Sequence, residues 1–234
     1  MELVFITGVS TGIGYSACKK LTNEGYYVFG SVRNQKDANR LSEELENFTP
    51  VVLDVTNRDS IIKAVDKIKK HTSDDVVFKA LINNAGIALG GPILHIDTDV
   101  FRKQFEVNFF GLIEVTKVFL PLLGYNNDKD KRGKIINISS VSGKRAFPYV
   151  APYSASKFAL EAFSDSLRRE LLMYEIDVVV IEPGPVKTAI WDKTPNPDEN
   201  IFIGTDYESS LKKFYNYVIK KGRQGLNVEK ISNL

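Results

Sequence analysis

Tyr153 and Lys157 are four residues apart, so on a helix their phenol and ammonium share one face, a single turn from each other. A tyrosine ordinarily titrates near about 10 and needs help to trade a proton at neutral pH. An adjacent positive charge stabilises the phenolate and supplies that help. Taken alone, the pair also describes a packed tyrosine beside a surface lysine. A second feature lies near the start of the chain, where Thr7-Gly8-Val9-Ser10-Thr11-Gly12-Ile13-Gly14 follows a short apolar run and opens into a segment of helical period reaching about Glu24. Glycines between strand and helix allow backbone to approach a pyrophosphate, and the helix N-terminus attracts its charge. A plain glycine-rich turn is the alternative.

Other chemistries find less support. His71 and His95 are the only imidazoles, neither has a second ligand at a metal-binding spacing, and no catalytic metal is expected. Cys18 cannot form a disulfide within the chain, which fits a reducing compartment, and it reads as a small core residue rather than a nucleophile. The net charge of +2 is too small to argue for nucleic acid. The cluster Lys63, Lys67, Lys69, Lys70 and His71 falls where a helix should end, as the macrodipole favours. The opening residues lack the basic region and apolar length of a signal peptide, and no segment reaches the length of a membrane span. A soluble, cytoplasmic protein without a membrane partner is the expectation.

Continuous apolar runs alternate with longer segments of helical period, the pattern of parallel strands buried on both faces. The runs are Leu3 to Ile6, Tyr27 to Val32, Val51 to Leu53, Ala80 to Ile82, Ile135 to Ile138 and Val178 to Ile181. Six strands separated by helices predict a single-domain α/β fold over residues 1–234, a Rossmann-type doubly wound parallel sheet. Phe101, Phe105, Phe109, Leu112, Ile113, Phe119 and Leu120 recur at helical spacing and predict a core-facing helix. Tyr125 to Arg132 reads as an exposed connector, and the irregular stretch Trp191 to Thr205 as part of a substrate lid with a small helical region over 189–222.

The order Thr-Gly-x-x-x-Gly-x-Gly, Asp54-Val55 after the third strand, Asn83-Asn84-Ala85-Gly86 after the fourth and Tyr153-x-x-x-Lys157 resembles the short-chain dehydrogenase/reductase family. Ile138-Ser139-Ser140-Val141-Ser142-Gly143, Val107-Asn108-Phe109-Phe110-Gly111 and Pro183-Gly184-Pro185-Val186-Lys187-Thr188 match further family segments. The resemblance implies hydride transfer between a nicotinamide and a carbonyl or secondary alcohol, with Asn108, Ser140, Tyr153 and Lys157 catalytic. Ser140 would hydrogen-bond the substrate oxygen, with Ser139 tied to backbone beside it. Asn108 would position a water that links Lys157 to solvent, or simply satisfy backbone as buried asparagines do. Gly8, Ser10, Thr11, Gly12, Ile13 and Gly14 would form the phosphate loop. Asp54 and Val55 would hold the adenine, Asp54 being also placed to cap the next helix. Asn84, Ala85 and Gly86 would line the nucleotide path, and Pro183, Gly184, Val186 and Thr188, with Tyr153 and Lys157, would meet the nicotinamide.

Cofactor choice turns on the end of the second strand. An acidic residue there binds the ribose 2′-hydroxyl of NAD, whereas an arginine accommodates a 2′-phosphate. Val32 takes the acidic position and Arg33 follows, so NADP(H) is expected over NAD(H). The residues from Asn84 to Pro92 and from Lys157 to Glu161 resemble the hydroxysteroid, retinol and general carbonyl-reductase branches. They imply a small apolar or mixed substrate, with Ile190, Trp191, Ile201 and Phe202 as pocket walls or packing anchors. Family members commonly reach a seventh strand, which this chain is expected to lack or hold truncated. A homodimer or homotetramer is expected through the helices bearing Asn108 and Tyr153. A non-catalytic NADP-binding regulatory or redox-sensing module is the alternative from another class.

Overall fold

The computed structural model describes residues 1–71, 76–124, 132–188 and 202–233. Six parallel strands form one sheet in the order β3-β2-β1-β4-β5-β6, with β1 Glu2–Ile6, β2 Tyr27–Val32, β3 Phe48–Val52, β4 Val77–Asn83, β5 Lys134–Ile138 and β6 Asp177–Ile181. The order reverses between β1 and β4, the position where open α/β sheets leave a crevice at their carboxyl ends. Successive residues of β1 serve opposite faces. Leu3 and Phe5 join a core with Ile61, Val115, Phe119 and Leu167, while Val4 and Ile6 join Cys18, Ala38 and Leu41 on the other side. This double burial explains why the strands read as unbroken apolar runs.

Helices α1 Gly12–Asn23 and α2 Gln35–Glu44 cover one face, and α3 Arg58–Lys69, α5 Gly111–Phe119 and α6 Ala151–Glu170 cover the other. Helix α4 Thr98–Phe105 runs through a π turn at Glu106–Phe110 into α5, and α7 Glu208–Arg223 and α8 Glu229–Ser232 complete the described elements. No helix among the described residues is long and apolar enough to cross a membrane.

Two expectations change. The third strand begins at Phe48 rather than Val51, because Pro50 sits inside it. Proline donates no ladder bond, which masks a strand in sequence but is tolerated here because β3 is an edge. The stripe along α4 and α5 is also not purely apolar. Leu112 and Phe119 are buried as expected, but the stripe continues through Asn108 to Gln104, while Phe101, Phe105 and Phe109 are only half-buried beside it. Phe109 packs edge-on against Phe163 of α6, with ring centroids 6.1 Å apart. The connector from Tyr125 to Lys131 and the stretch from Ala189 to Ile201, with Ile190, Trp191 and Ile201, lie outside the described residues. Phe202 is a packing anchor, buried with Leu211 and Tyr215.

Candidate active site

At the end of β1 the chain leaves the sheet through a loop that its neighbours hold by hydrogen bonds. The Gly8 amide donates to Ser31 Oγ and the Val9 amide to the Ser31 carbonyl, each at 2.9 Å. Thr7 Oγ1 accepts from the Asn84 and Ala85 amides at 2.9 Å. Asn84 Nδ2 donates back to the carbonyls of Thr7 and Gly8, also at 2.9 Å. Asn84 therefore clamps the glycine loop to the end of β4. That clamp needs Gly14, where a Cβ would lie 2.3 Å from Asn84 Nδ2 and 2.4 Å from the Gly8 carbonyl oxygen. Gly8 and Gly12 adopt φ of +73° and +66°, conformations that side chains disfavour. Arg40 of α2 holds the Ser10 carbonyl at 2.8 Å.

Thr11 is the N-cap of α1 but makes no side-chain capping bond, so its hydroxyl and the first-turn amides, Ile13 included, face a cradle shaped for an anion. The missing side chains at Gly8 and Gly12 let the loop pack closely against Ala85 and Thr188, and a glycine turn leading into a helix N-terminus is the arrangement that fits a pyrophosphate. Arg33 is exposed directly after β2 and makes no hydrogen bond or ion pair among the described residues. Next to it, Asn34 caps α2 by accepting from the Asp37 amide.

Asp54 does not cap α3. Its Oδ1 accepts from the amide and hydroxyl of Thr56, and Asn57 takes the cap by accepting from the Ser60 amide. An Asx turn two residues long places Asp54 too early to reach the helix. Val55 is buried in the core, with its carbonyl 2.8 Å from where a Cβ on Gly111 would stand. Ala85 abuts Gly8, and Gly86 abuts Asn108.

The chemical residues gather around the start of α6. Lys157 is buried, donates to the Ile138 carbonyl at 2.7 Å, and lies 5.8 Å from the centre of the Tyr153 ring. Ser140 ends the extension of β5 and accepts from the Ser142 amide at 3.1 Å, capping the tight turn Val141–Gly143. Burial raises the Tyr153 phenol above its ordinary value, and its hydrogen-bonding approach to Ser140 pulls the other way. Burial drives Lys157 down to about 8, opposed by the negative charge of Glu161 one turn along α6. Desolvation of the phenol is the larger of the two influences on Tyr153. Ser139 also departs from expectation. Its amide bonds the Ile181 carbonyl, but its buried hydroxyl has no partner among the described residues.

Asn108 sits in the π turn, buried, with Oδ1 accepting from the Ile87 amide and Nδ2 donating to the Ile87 carbonyl, both at 2.9 Å. Its second amide hydrogen reaches Ser156 Oγ on α6 at 3.4 Å. Of the two readings of this residue, satisfying backbone is what its amide does. Gln104, one turn earlier, repeats the clamp on Ile87 and Leu89.

After β6, the Pro183 carbonyl accepts from Val141, tying this segment to the Ser140 turn. Gly184 faces open space, Val186 is buried, and the Thr188 methyl lies 3.3 Å from where a Cβ on Gly12 would stand. The two ends of the site thus meet at Gly12 and Thr188. Sequence reasoning missed Ser31, Arg40, Gln104 and Glu161. Polar residues inside an apolar strand or at one-turn spacing from Asn108 and Lys157 were the available signals.

A family model described as short chain dehydrogenase matches residues 2–199. The chain is 41% identical over 233 residues to an NADPH-dependent 3-dehydrocapnine reductase from Ornithobacterium rhinotracheale, covering 99% of this chain and 82% of the relative. It is 34% identical over 230 residues to a 3-ketodihydrosphingosine reductase from Bacteroides thetaiotaomicron, covering 98% and 80%. A solved structure of an actinorhodin polyketide ketoreductase variant with NADPH superposes with a TM-score of 0.82 at 26% identity, covering 99% of this chain and 87% of that one.

Proposed function

The chain belongs to the short-chain dehydrogenase family and is an oxidoreductase acting on a CH–OH or C=O group, and we propose that it is an NADP(H)-preferring carbonyl reductase in which Tyr153 is the proton donor. The single observation that carries this reading is the group made by half-buried Tyr153 and buried Ser140 and Lys157 on the same sheet edge as the glycine cradle. A bound nicotinamide supplies the hydride that reaches the carbonyl carbon. Everything else falls to the protein.

The raised phenol keeps its proton at neutral pH, which suits Tyr153 to protonate the carbonyl oxygen as that oxygen gains charge. Ser140 holds the same oxygen by its hydroxyl. Lys157, charged below about pH 8, stabilises the phenolate left behind. Asn108 and Gln104 hold the loop after β4 that forms one wall, with Asn108 at a position from which a water near Ser156 could return the proton.

For the cofactor we take Gly8 to Gly14 as the pyrophosphate cradle and Arg33, free at the end of β2, as the partner of a 2′-phosphate. Asp54 and Val55 are taken to meet the adenine, and Asn84, Ala85, Gly86, Pro183, Gly184, Val186 and Thr188 to line the remaining path. The NADPH in one relative's name supports the preference. For the substrate we propose a ketone on a long apolar chain. Both named reductases take substrates oxidised at carbon 3, and 3-ketodihydrosphingosine is a long-chain aminoketone. Exposed Ile93 and Leu94 adjoin His95, whose ring meets Phe202 of the stretch read as a lid over 189–222, and Ile203 of the same stretch is exposed next to it.

The same reading makes the protein a cytoplasmic homodimer or homotetramer. Phe110 and Phe158 stand exposed on the faces of the π turn and α6, and light scattering together with cell fractionation tests both statements. The central experiment follows NADPH oxidation with 3-ketodihydrosphingosine, steroids, sugars and short ketones, in wild type and Tyr153→Phe. Long-chain ketones should be turned over, and the variant should lose at least about 100-fold in kcat while binding NADPH as before. Equal turnover in the variant rejects the mechanism. Wild-type protein that binds NADPH but reduces none of these ketones favours a regulatory module instead.

A further inference from the structure

The segment Pro185–Thr188 is held from outside the sheet. The Leu226 amide donates to the Pro185 carbonyl and the Lys187 amide to the Leu226 carbonyl, each at 2.9 Å, forming an isolated parallel bridge between Val186 and Leu226. Gly225 makes this approach possible. A Cβ there would stand 2.2 Å from the Pro185 carbonyl oxygen, 2.5 Å from its carbon and 2.9 Å from the Val186 nitrogen. All three are backbone atoms, so no side chain can swing aside. Gly225 does not have a positive φ, so close approach rather than backbone conformation is what excludes a side chain here.

Beyond this turn the chain returns to the nucleotide end. Ile231 of α8 is buried, Ser232 Oγ lies 2.9 Å from Ser16 Oγ of α1, and Lys20 of α1 donates to Asn233 Oδ1 at 2.9 Å. Helix α1 begins at Gly12, against which Thr188 packs. The contacts close a ring from Gly12 along α1 to Ser232, back through Leu226 to Val186, and across Thr188 to Gly12.

We propose that Gly225 and Leu226 are positioning residues for the cofactor, fixing Val186–Thr188 against the glycine loop so that the nicotinamide end and the pyrophosphate end of the site keep one spacing. This rests on the cofactor reading given above. Neither residue needs to touch the cofactor. An ordinary carbon-to-oxygen contact is about 3.3 Å, so a methyl on Gly225 pushes the 185–188 segment away by about 1 Å. A displacement of that size is enough to take the 185–188 segment out of register with a cofactor held by the glycine loop.

The test uses the full chain and NADPH itself. By NADPH fluorescence, Gly225→Ala should raise Kd at least about tenfold, and in turnover KM for NADPH should rise more than kcat falls. Ser16→Ala, which removes only the hydroxyl contact to Ser232, should give a smaller shift in the same direction. A defect in general stability alone would lower the amount of folded enzyme and leave KM unchanged. Should Gly225→Ala not fold, hydrogen exchange on the wild type decides: NADPH should slow the Leu226 and Lys187 amides together with those of the glycine loop. A variant Kd within twofold of wild type, or a Leu226 amide indifferent to NADPH while the glycine loop is protected, overturns the proposal and leaves the cofactor reading standing. Wild-type protein that binds neither NADP(H) nor NAD(H) overturns both.

Discussion

Around the glycine loop, Thr7, Ser31, Asn84 and Arg40 each hold a backbone group of the loop or of the strand beside it, and the surface left to a ligand is bare backbone. Around Tyr153 the pattern inverts. Of the four buried side-chain oxygens without a partner among the described residues, three belong to Ser139, Ser154 and Glu161, on or beside the start of α6. A lysine is buried there as well. The glycine-loop end is therefore built by excluding side chains and satisfying what remains, which stabilises the fold as it shapes the candidate site. The Tyr153 end is built by burying polar groups that would be more stable in water, a cost the rest of the fold must offset. Binding and stability run together at one end and oppose each other at the other.

The largest effect should come from breaking the first rule. Gly14→Val drives a side chain into Asn84 and the Gly8 carbonyl, so the clamp and the cradle go together. Urea denaturation should show a loss of about 3 kcal/mol or more, and NADPH binding should fall beyond detection. Wild-type stability with intact binding in this variant would end the account of the cradle.

Lys157→Met should split the two properties. Activity should drop at least about 100-fold with the loss of the charge beside Tyr153. Stability at pH 7 should rise. Lowering the lysine from 10.5 to about 8 corresponds to roughly 3 kcal/mol against the charged form, less about 1 kcal/mol for the hydrogen bond to Ile138 that methionine cannot make. The unfolded chain binds more protons than the folded one between about pH 8 and 10.5, so wild-type stability rises with pH across that window. The advantage of the methionine variant is complete below pH 8 and shrinks as pH approaches 10.5. A variant less stable than wild type at pH 7 would show that burial of Lys157 carries no such cost.

Arg33→Ala should be the mildest. The residue is exposed and makes no hydrogen bond or ion pair among the described residues, so stability should stay within about 0.5 kcal/mol. The ratio of kcat/KM for NADPH to that for NADH should fall about tenfold or more. An unchanged ratio would move 2′-phosphate recognition away from Arg33.

Much of this was open to reading along the chain. Strands buried on both faces leave unbroken apolar runs, so four of the six are legible to within a residue of their ends. Two are foreshortened by three residues at their starts: β4 because Lys79 interrupts the apolar run, and β3 because Pro50 does, and only the edge position of β3 explains why a proline is tolerated there. The glycine loop and the tyrosine–lysine pair were visible because each is local. One is a turn between adjacent elements, the other two residues on one helical turn.

Contacts between distant segments were not visible in this way. Whether Asn108 holds a water or a peptide depends on Ile87, twenty-one residues earlier. Whether Asp54 caps a helix was settled by Asn57 standing at the cap. The direction in which Tyr153 titrates depends on how deeply α6 packs, and burial outweighs the hydrogen bond to Ser140. The residues alone determined the class of sheet and pointed to the glycine loop and the Tyr153–Lys157 pair, because those follow from periodicity and from one-turn spacing. The tertiary structure alone decided what each polar side chain holds, and that a turn at Gly225 reaches the segment beside the nicotinamide end, because desolvation and close backbone approach exist only once remote parts of the chain meet.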